Sequence, residues 1–278
     1  MMLSNSKINA STCVYGLIGY PVEHSLSPKF WNSAFDVLSL NAVYLAFPVL
    51  PEHFYVALSG LKSSAIKGLN VTRPHKRDAS RFCDYLHGAS YDTKIVNTIK
   101  FTENGVEGWN TDAVAFYNIL TRFELSKNTA LILGNGATSE SVIWALKKYG
   151  LSRLNQIARN FSDEDMEENS KNNFLRKFSW NSKNFYNTVA ESDIIINTTP
   201  IGWQEVDDIP ELIASRNSSK CFVDFNYKKE SKLLSRARQF CETVIDGREM
   251  LYEQGLEAFK ILMNCEPPAD VIRYSIFS

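Results

Sequence analysis

The stretch LILGNGATSES, residues 131–141, decides the fold. An apolar run of strand length ends at Gly134-Asn135-Gly136, and a helical pattern over Ser139–Tyr149 follows. A glycine at the first position of such a loop permits a tight turn, and a second lets backbone approach a pyrophosphate. The N-terminus of the next helix offers unpaired N–H groups and the positive end of a dipole to that phosphate. Ser139 holds the third small position, where Gly or Ala is usual. The loop alone also suits an ordinary strand-to-helix turn; the strand before it and the helix after it favour the dinucleotide reading. The next strand ends in IARN, residues 157–160. An acidic residue there would favour NAD, whereas Arg159 suits adenine stacking and a 2′-phosphate, hence NADP. The acidic SDEDMEE that follows opposes an extra phosphate and keeps NAD open.

Working outward, strand-length apolar runs alternate with helix-length amphipathic segments. Strands are expected at Val14–Gly19, Val43–Pro48, Ile66–Thr72, Ile95–Phe101, Val106–Trp109, Ala130–Leu133, Leu154–Ala158, Asp193–Asn197, Cys221–Asp224 and Val244–Ile245. Helices are expected at Pro28–Leu38, Ala113–Phe123, Ser139–Tyr149, Glu230–Phe240 and Tyr252–Met263. Such alternation predicts α/β architecture with largely parallel sheets, whose ligands bind beyond the carboxyl ends of the strands. A βα unit restarts after Asp112, and the character of the first part resumes near Asp246. Two domains are expected: residues 1–112 with 246–278, discontinuous, and a Rossmann-like dinucleotide-binding domain over 113–245.

Composition narrows the partners. The formal net charge is −1, which disfavours nucleic acid or an anionic membrane as the main partner. No apolar run approaches the length of a membrane span, and the polar N-terminal residues lack the apolar middle of a signal peptide. Five scattered cysteines form no CxxC pair, and four histidines lack ligand spacing. A cytoplasmic protein without a metal site is expected.

Short hydrogen-bonding side chains recur after the early strands. Ser25 and Ser27 share one side of an extended segment, and Ser27 before Pro28 is also a good helix N-cap. Asn70 and Thr72 repeat that spacing, Asn97 closes another strand, and Asp112 begins a helix, where a carboxylate is favourable. Gln254 lies on the apolar stripe of Leu251, Ala258 and Leu262, so it needs a partner, either core backbone or a ligand. Together these residues suit a ligand with several hydroxyls and a carboxylate. Lys76 could move a proton for such a ligand or be a solvated charge at a helix start.

The segments GYPVEHSLSP, GLNVTRPHK, VNTI, GWNTD, LGNGATS, INTTPIG, DFNY and DGREMLYEQGLEAF occur together and in order. Through them the chain resembles the shikimate dehydrogenases nearly end to end. The resemblance implies reversible, NADPH-dependent reduction of 3-dehydroshikimate to shikimate, in aromatic amino-acid biosynthesis, at a cleft between a substrate domain and a nucleotide domain. It implies Lys76 and Asp112 as the catalytic pair. Ser25, Ser27, Asn70, Thr72, Asn97, Asp112, Tyr227 and Gln254 would hold substrate. Gly134, Gly136, Ala137 and Arg159 would hold the cofactor, with Thr198 and Gly202 near it. The protein would act as a monomer or homodimer.

The chain departs from that family's pattern at several points. Lys94 and Ile95 replace Gly-Ala before VNT, Trp203 replaces a methionine, Lys229 a proline, Glu140 a basic residue and Trp31 a histidine. Asp163 stands where a second arginine is frequent. These departures leave room for a quinate/shikimate dehydrogenase that uses NAD, or for a member that binds ligand without efficient catalysis. A folate-linked dehydrogenase of similar architecture would not account for the substrate-side motifs.

Overall fold

The computed structural model describes residues 8–64, 66–161, 174–180, 185–201, 220–227 and 232–277. They fall into two compact units, one up to Ala115 and from Leu251 onward, the other Phe116–Met250.

The first unit contains β1 (Cys13–Gly19), α1 (Ser27–Val37), β2 (Ala42–Pro48), α2 (Phe54–Ser63), β3 (Gly68–Val71), α3 (Lys76–Phe82), β4 (Tyr85–His87), α4 (Ala89–Thr93), β5 (Thr98–Thr102) and β6 (Gly105–Trp109). Its sheet order is β2-β1-β3-β5-β6-β4. The sheet is mixed: β5 runs antiparallel to both β3 and β6. The cause is local, since β5 and β6 are joined by a tight turn at Glu103-Asn104 before Gly105, a hairpin that parallel strands cannot use. Two-residue periodicity sorts the side chains of the central strands. Ile18, Leu69 and Val71 pack with Phe54, Leu58 and Ala79 on one face. Asn70 alternates to the other, where Tyr15, Trp31, Tyr44 and Phe259 cluster.

The helix α5 (Thr111–Arg122) precedes β7 (Thr129–Leu133), α6 (Ala137–Tyr149), β8 (Arg153–Ala158), β9 (Leu175–Ser179), α7 (Phe185–Glu191), β10 (Ile194–Asn197), β11 (Cys221–Asp224), α8 (Lys232–Phe240) and β12 (Thr243–Ile245). The second sheet has order β12-β11-β10-β7-β8-β9 and is parallel throughout. This is the doubly wound order, and it reverses between β7 and β10. Its central strands β7, β10 and β11 are buried on both faces, as their unbroken apolar runs require. The chain continues through α9 (Gly247–Met263) and α10 (Ala269–Phe277). Among the described residues no helix is long and apolar enough to cross a membrane.

Candidate active site

The first unit gathers its polar residues from separate strand ends. Lys76 opens α3 and Asp112 sits in the first turn of α5. Lys76 Nζ lies 2.5 Å from Asp112 Oδ2, with both side chains nearly buried. No spacing in the sequence joins them, because the meeting depends on the β3–β5–β6 register. Asn110 accepts the Ala113 N–H at 3.2 Å and so caps α5, holding Asp112 in the first turn. The backbone N–H of Val96 donates to Lys76 O at 3.0 Å, which ties the start of α3 to the segment carrying Asn97.

Asn97 is buried, and its orientation is fixed. Its Oδ1 accepts the Thr111 backbone N–H at 2.8 Å and the Thr111 hydroxyl at 3.1 Å. A backbone N–H only donates, so oxygen must stand there. The Nδ2 group of Asn97 finds no acceptor among the described residues. Asn70 is more fully engaged. Its Nδ2 donates to Asn97 O at 3.3 Å and Thr98 Oγ1 at 3.1 Å, and its Oδ1 accepts from the Tyr44 hydroxyl at 2.8 Å.

Thr72 follows β3 half-buried, and its hydroxyl has no partner among the described residues. Ser25 and Ser27 differ from the expected cap. The N-cap of α1 is Leu26, Ser27 is already helical, and no side chain caps the helix. Instead Ser25 Oγ accepts the Ser27 N–H at 3.1 Å, a serine turn that aligns the two residues. Ser27 is a buried residue, and its hydroxyl has no partner among the described residues. Gln254 donates from Nε2 to Leu251 O at 2.9 Å, so one end of its amide is satisfied by its own helix. Tyr227 follows β11 in the second unit and is half-buried.

In the second unit the glycine loop occupies the β7–β10 switch point. Gly134 has φ +109, and a Cβ there would stand 2.7 Å from Thr198 Oγ1. Thr198 donates to Leu133 O through its N–H at 3.0 Å and its hydroxyl at 2.6 Å. The hydroxyls of Ser139 and Thr198 are 2.7 Å apart, and Ser139 is fully buried. That contact explains serine at the third small position: it links α6 to the turn after β10. Gly136 is the N-cap of α6 without a side-chain cap, and nothing lies within 4 Å of where its Cβ would be. The first N–H groups of α6, with Ala137 at its first position, are therefore open to a phosphate. Arg159 is exposed directly after β8, and among the described residues it makes no ion pair. Gly202, Trp203, Asp163 and Lys229 lie outside the described residues.

Sequence reasoning passed over a second polar network in this unit. Asn226 Nδ2 reaches Thr199 O at 3.1 Å and Ile201 O at 3.0 Å, and Asn197 Nδ2 reaches Asp224 Oδ1 at 3.1 Å. These bonds brace the turn that carries Thr198. Their signal was the asparagine closing each of two buried runs, INTT and DFN.

Residues 17–99 match the shikimate dehydrogenase substrate binding domain family. A shikimate dehydrogenase (NADP+) of Aquifex aeolicus is 38% identical over 274 residues, covering 97% of this chain and 98% of the relative. The crystal structure of shikimate dehydrogenase from Aquifex aeolicus superposes with a TM-score of 0.85 at 36% identity, over 98% of this chain and 100% of that one. A shikimate dehydrogenase in complex with NADP+ gives 0.83 at 32% identity, over 97% and 96%. The Thermus thermophilus enzyme in complex with NADP(H) and shikimate gives 0.82 at 25% identity, over 95% and 98%. With its motifs, its two sheets and these full-length likenesses, the chain belongs to the shikimate dehydrogenase family.

Proposed function

We propose that this protein is an NADP-dependent shikimate dehydrogenase, reversibly reducing 3-dehydroshikimate to shikimate. The observation that carries the reading is the Lys76–Asp112 pair, 2.5 Å apart, in the same unit as the uncommitted donor of Asn97. When bound, NADPH supplies the hydride. The chain's own residues supply the rest. As hydride reaches the carbonyl carbon, negative charge grows on oxygen. The Lys76 ammonium neutralises that charge and delivers a proton from Nζ. Asp112 holds the ammonium in place and, in the reverse direction, keeps the lysine oriented to accept the proton from the substrate hydroxyl.

Ser25, Ser27, Thr72 and Asn97 present donors and acceptors to the carboxylate and hydroxyls of the substrate, with Asn70, Asp112, Tyr227 and Gln254 completing its surroundings. The tight turn at Gly134 and the open backbone at Gly136 and Ala137 fit the pyrophosphate, Thr198 and Gly202 accompany it, and Arg159 fits the 2′-phosphate. On this reading residues 1–112 with 246–278 form the substrate domain and 113–245 the nucleotide domain. The five cysteines fit a cytoplasmic setting, and the described structure pairs none of them.

The test follows absorbance of the reduced nicotinamide with purified protein, shikimate and either NADP or NAD, with Lys76→Ala alongside. Shikimate-dependent reduction of NADP that disappears in Lys76→Ala is the expected result. Preference for NAD, or equal use of quinate, would move the protein to the quinate/shikimate group. Binding of shikimate without turnover would overturn the enzyme reading.

A further inference from the structure

The polar chain of the first unit does not end at Asn70. We infer that Tyr44 is a positioning residue for substrate recognition, holding the Asn70 amide so that it meets the substrate only as an acceptor. The inference rests on the proposed substrate role of Asn70.

Bond polarity can be followed atom by atom. The carbonyl of Asn97 only accepts, so the Asn70 atom facing it is Nδ2, and the atom facing Tyr44 is Oδ1. Both protons of Asn70 Nδ2 are committed, to Asn97 O and Thr98 Oγ1. What Asn70 can still offer is the second lone pair of Oδ1. Asn97 is the reverse, with its oxygen committed to Thr111 and its Nδ2 uncommitted. The two amides thus form a polarised pair, one accepting from a substrate hydroxyl and one donating to it. A ligand lacking a donor at the first position leaves the second lone pair of Asn70 Oδ1 unmatched, and discrimination by hydrogen-bond polarity is stronger than by size alone.

Tyr44 is held for this task at both its backbone and its ring. Its backbone is clamped by Asn32, whose Oδ1 accepts the Tyr44 N–H at 2.9 Å and whose Nδ2 donates to Tyr44 O at 3.0 Å. Asn32 thereby completes the edge strand β2, as a neighbouring strand would. The ring stacks on Trp31 at 5.1 Å and 9° between planes. Trp31 itself lies between Tyr15 and Phe259, with centroids at 6.4 and 5.1 Å. The hydroxyl, fully buried, then has a defined position from which to donate to Asn70. The departure at Trp31 acquires a consequence: it is a flat support for the tyrosine that orients Asn70.

Tyr44→Phe keeps the stack and the Asn32 clamp and removes only the hydroxyl. The expected result is a KM for shikimate raised about fivefold to tenfold, the scale of one hydrogen bond, with kcat and the KM for NADP unchanged. In an Asn70→Ala background the same substitution should add nothing, because its effect passes through that amide. A merely structural tyrosine would lower the thermal midpoint without moving KM alone, and its effect would persist in the Asn70→Ala background. An unchanged or lowered KM in folded Tyr44→Phe, or full additivity with Asn70→Ala, overturns the inference. Wild-type protein with no shikimate-dependent turnover would instead overturn the proposed function, which separates the two failures.

Discussion

Both units place polar residues at the carboxyl ends of strands, and they build on opposite materials. In the first unit side chains brace one another: Lys76 with Asp112, Asn70 with Tyr44 and Thr98, Asn97 with Thr111. In the second unit backbone sets the glycine loop: Gly134 at φ +109, Thr198 folded onto Leu133 O, and Gly136 opening α6. On the proposed reading the contrast follows from what each ligand asks. A hydroxylated ring needs donors and acceptors in a fixed pattern, which only side chains supply. A pyrophosphate needs close approach of N–H groups, which any side chain would obstruct. Damage should therefore be selective and chemical on one side, steric on the other.

The largest expected effect is chemical. On the proposed reading Lys76→Ala removes the proton donor and should lower kcat about 10³-fold in either direction of reaction, while the protein remains folded by circular dichroism. Asp112 keeps a favourable place in the first turn of α5 without its partner, so the fold has little reason to follow. A loss of kcat under tenfold would move proton delivery elsewhere and dissolve the contrast.

The steric counterpart is Gly134→Ala. The new Cβ would stand 2.7 Å from Thr198 Oγ1, on backbone at φ +109 that L side chains rarely adopt. The KM for NADP should rise about tenfold with the KM for shikimate unmoved, since the cost of roughly 1–3 kcal/mol falls on one loop. Equal movement of both constants would show that the two units do not fail separately.

How much of this could be read beforehand divides along the same line. The glycine loop was legible because its elements are contiguous, a strand, a turn and a helix within twenty residues. The parallel α/β character of its sheet was legible for the same reason, through repeated βα units. The antiparallel β5–β6 pair was carried by Asn104-Gly105, a local hairpin signal outweighed by the alternation around it. The three-residue β4 has no periodicity to detect, and β9 follows a polar stretch. Ser27 reads as a helix cap because serine before proline commonly is one, yet the Ser25 hydroxyl turns the chain first and shifts the start of the helix. The lattice around Asn70 was least legible. Tyr44 lies 26 residues away, on another strand, and in sequence is one aromatic among several in an apolar run.

Lys94 is where the substrate unit departs from its own rule, a position decided by backbone. It ends α4 at φ 54 and ψ 33, the left-handed region, and its Nζ lies 4.3 Å from the centre of the Tyr91 ring. The glycine that the family pattern expects would sit there without the Cβ clash. Lys94→Gly should raise stability by up to about 1 kcal/mol in urea unfolding, less what is lost with the cation–π contact and gained by the unfolded chain in freedom. The adjacent Ile95 is fully buried, so Ile95→Ala should move stability the other way by about 2–5 kcal/mol. If both substitutions destabilised, the lysine would be a fitted residue and the contrast would need no exception.

The smallest effect treats the units alike. Cys83 in one and Cys221 in the other are thiols that burial pushes from an ordinary value of 9.0 up to about 12. The folded thiol keeps its proton where the unfolded thiol has lost it, so the unfolded chain binds fewer protons above pH 9. Stability must then fall as pH rises, from about 9 until the folded thiols ionise near 12. At pH 9 each thiol contributes a loss of about 0.4 kcal/mol relative to neutral pH. Urea midpoints at pH 7.5 and 9 should show that loss, and Cys83→Ala and Cys221→Ala should each remove its own share of the pH dependence. A share removed by only one of them would mean that alkaline sensitivity, like the two ligand sites, belongs to one unit and not to both.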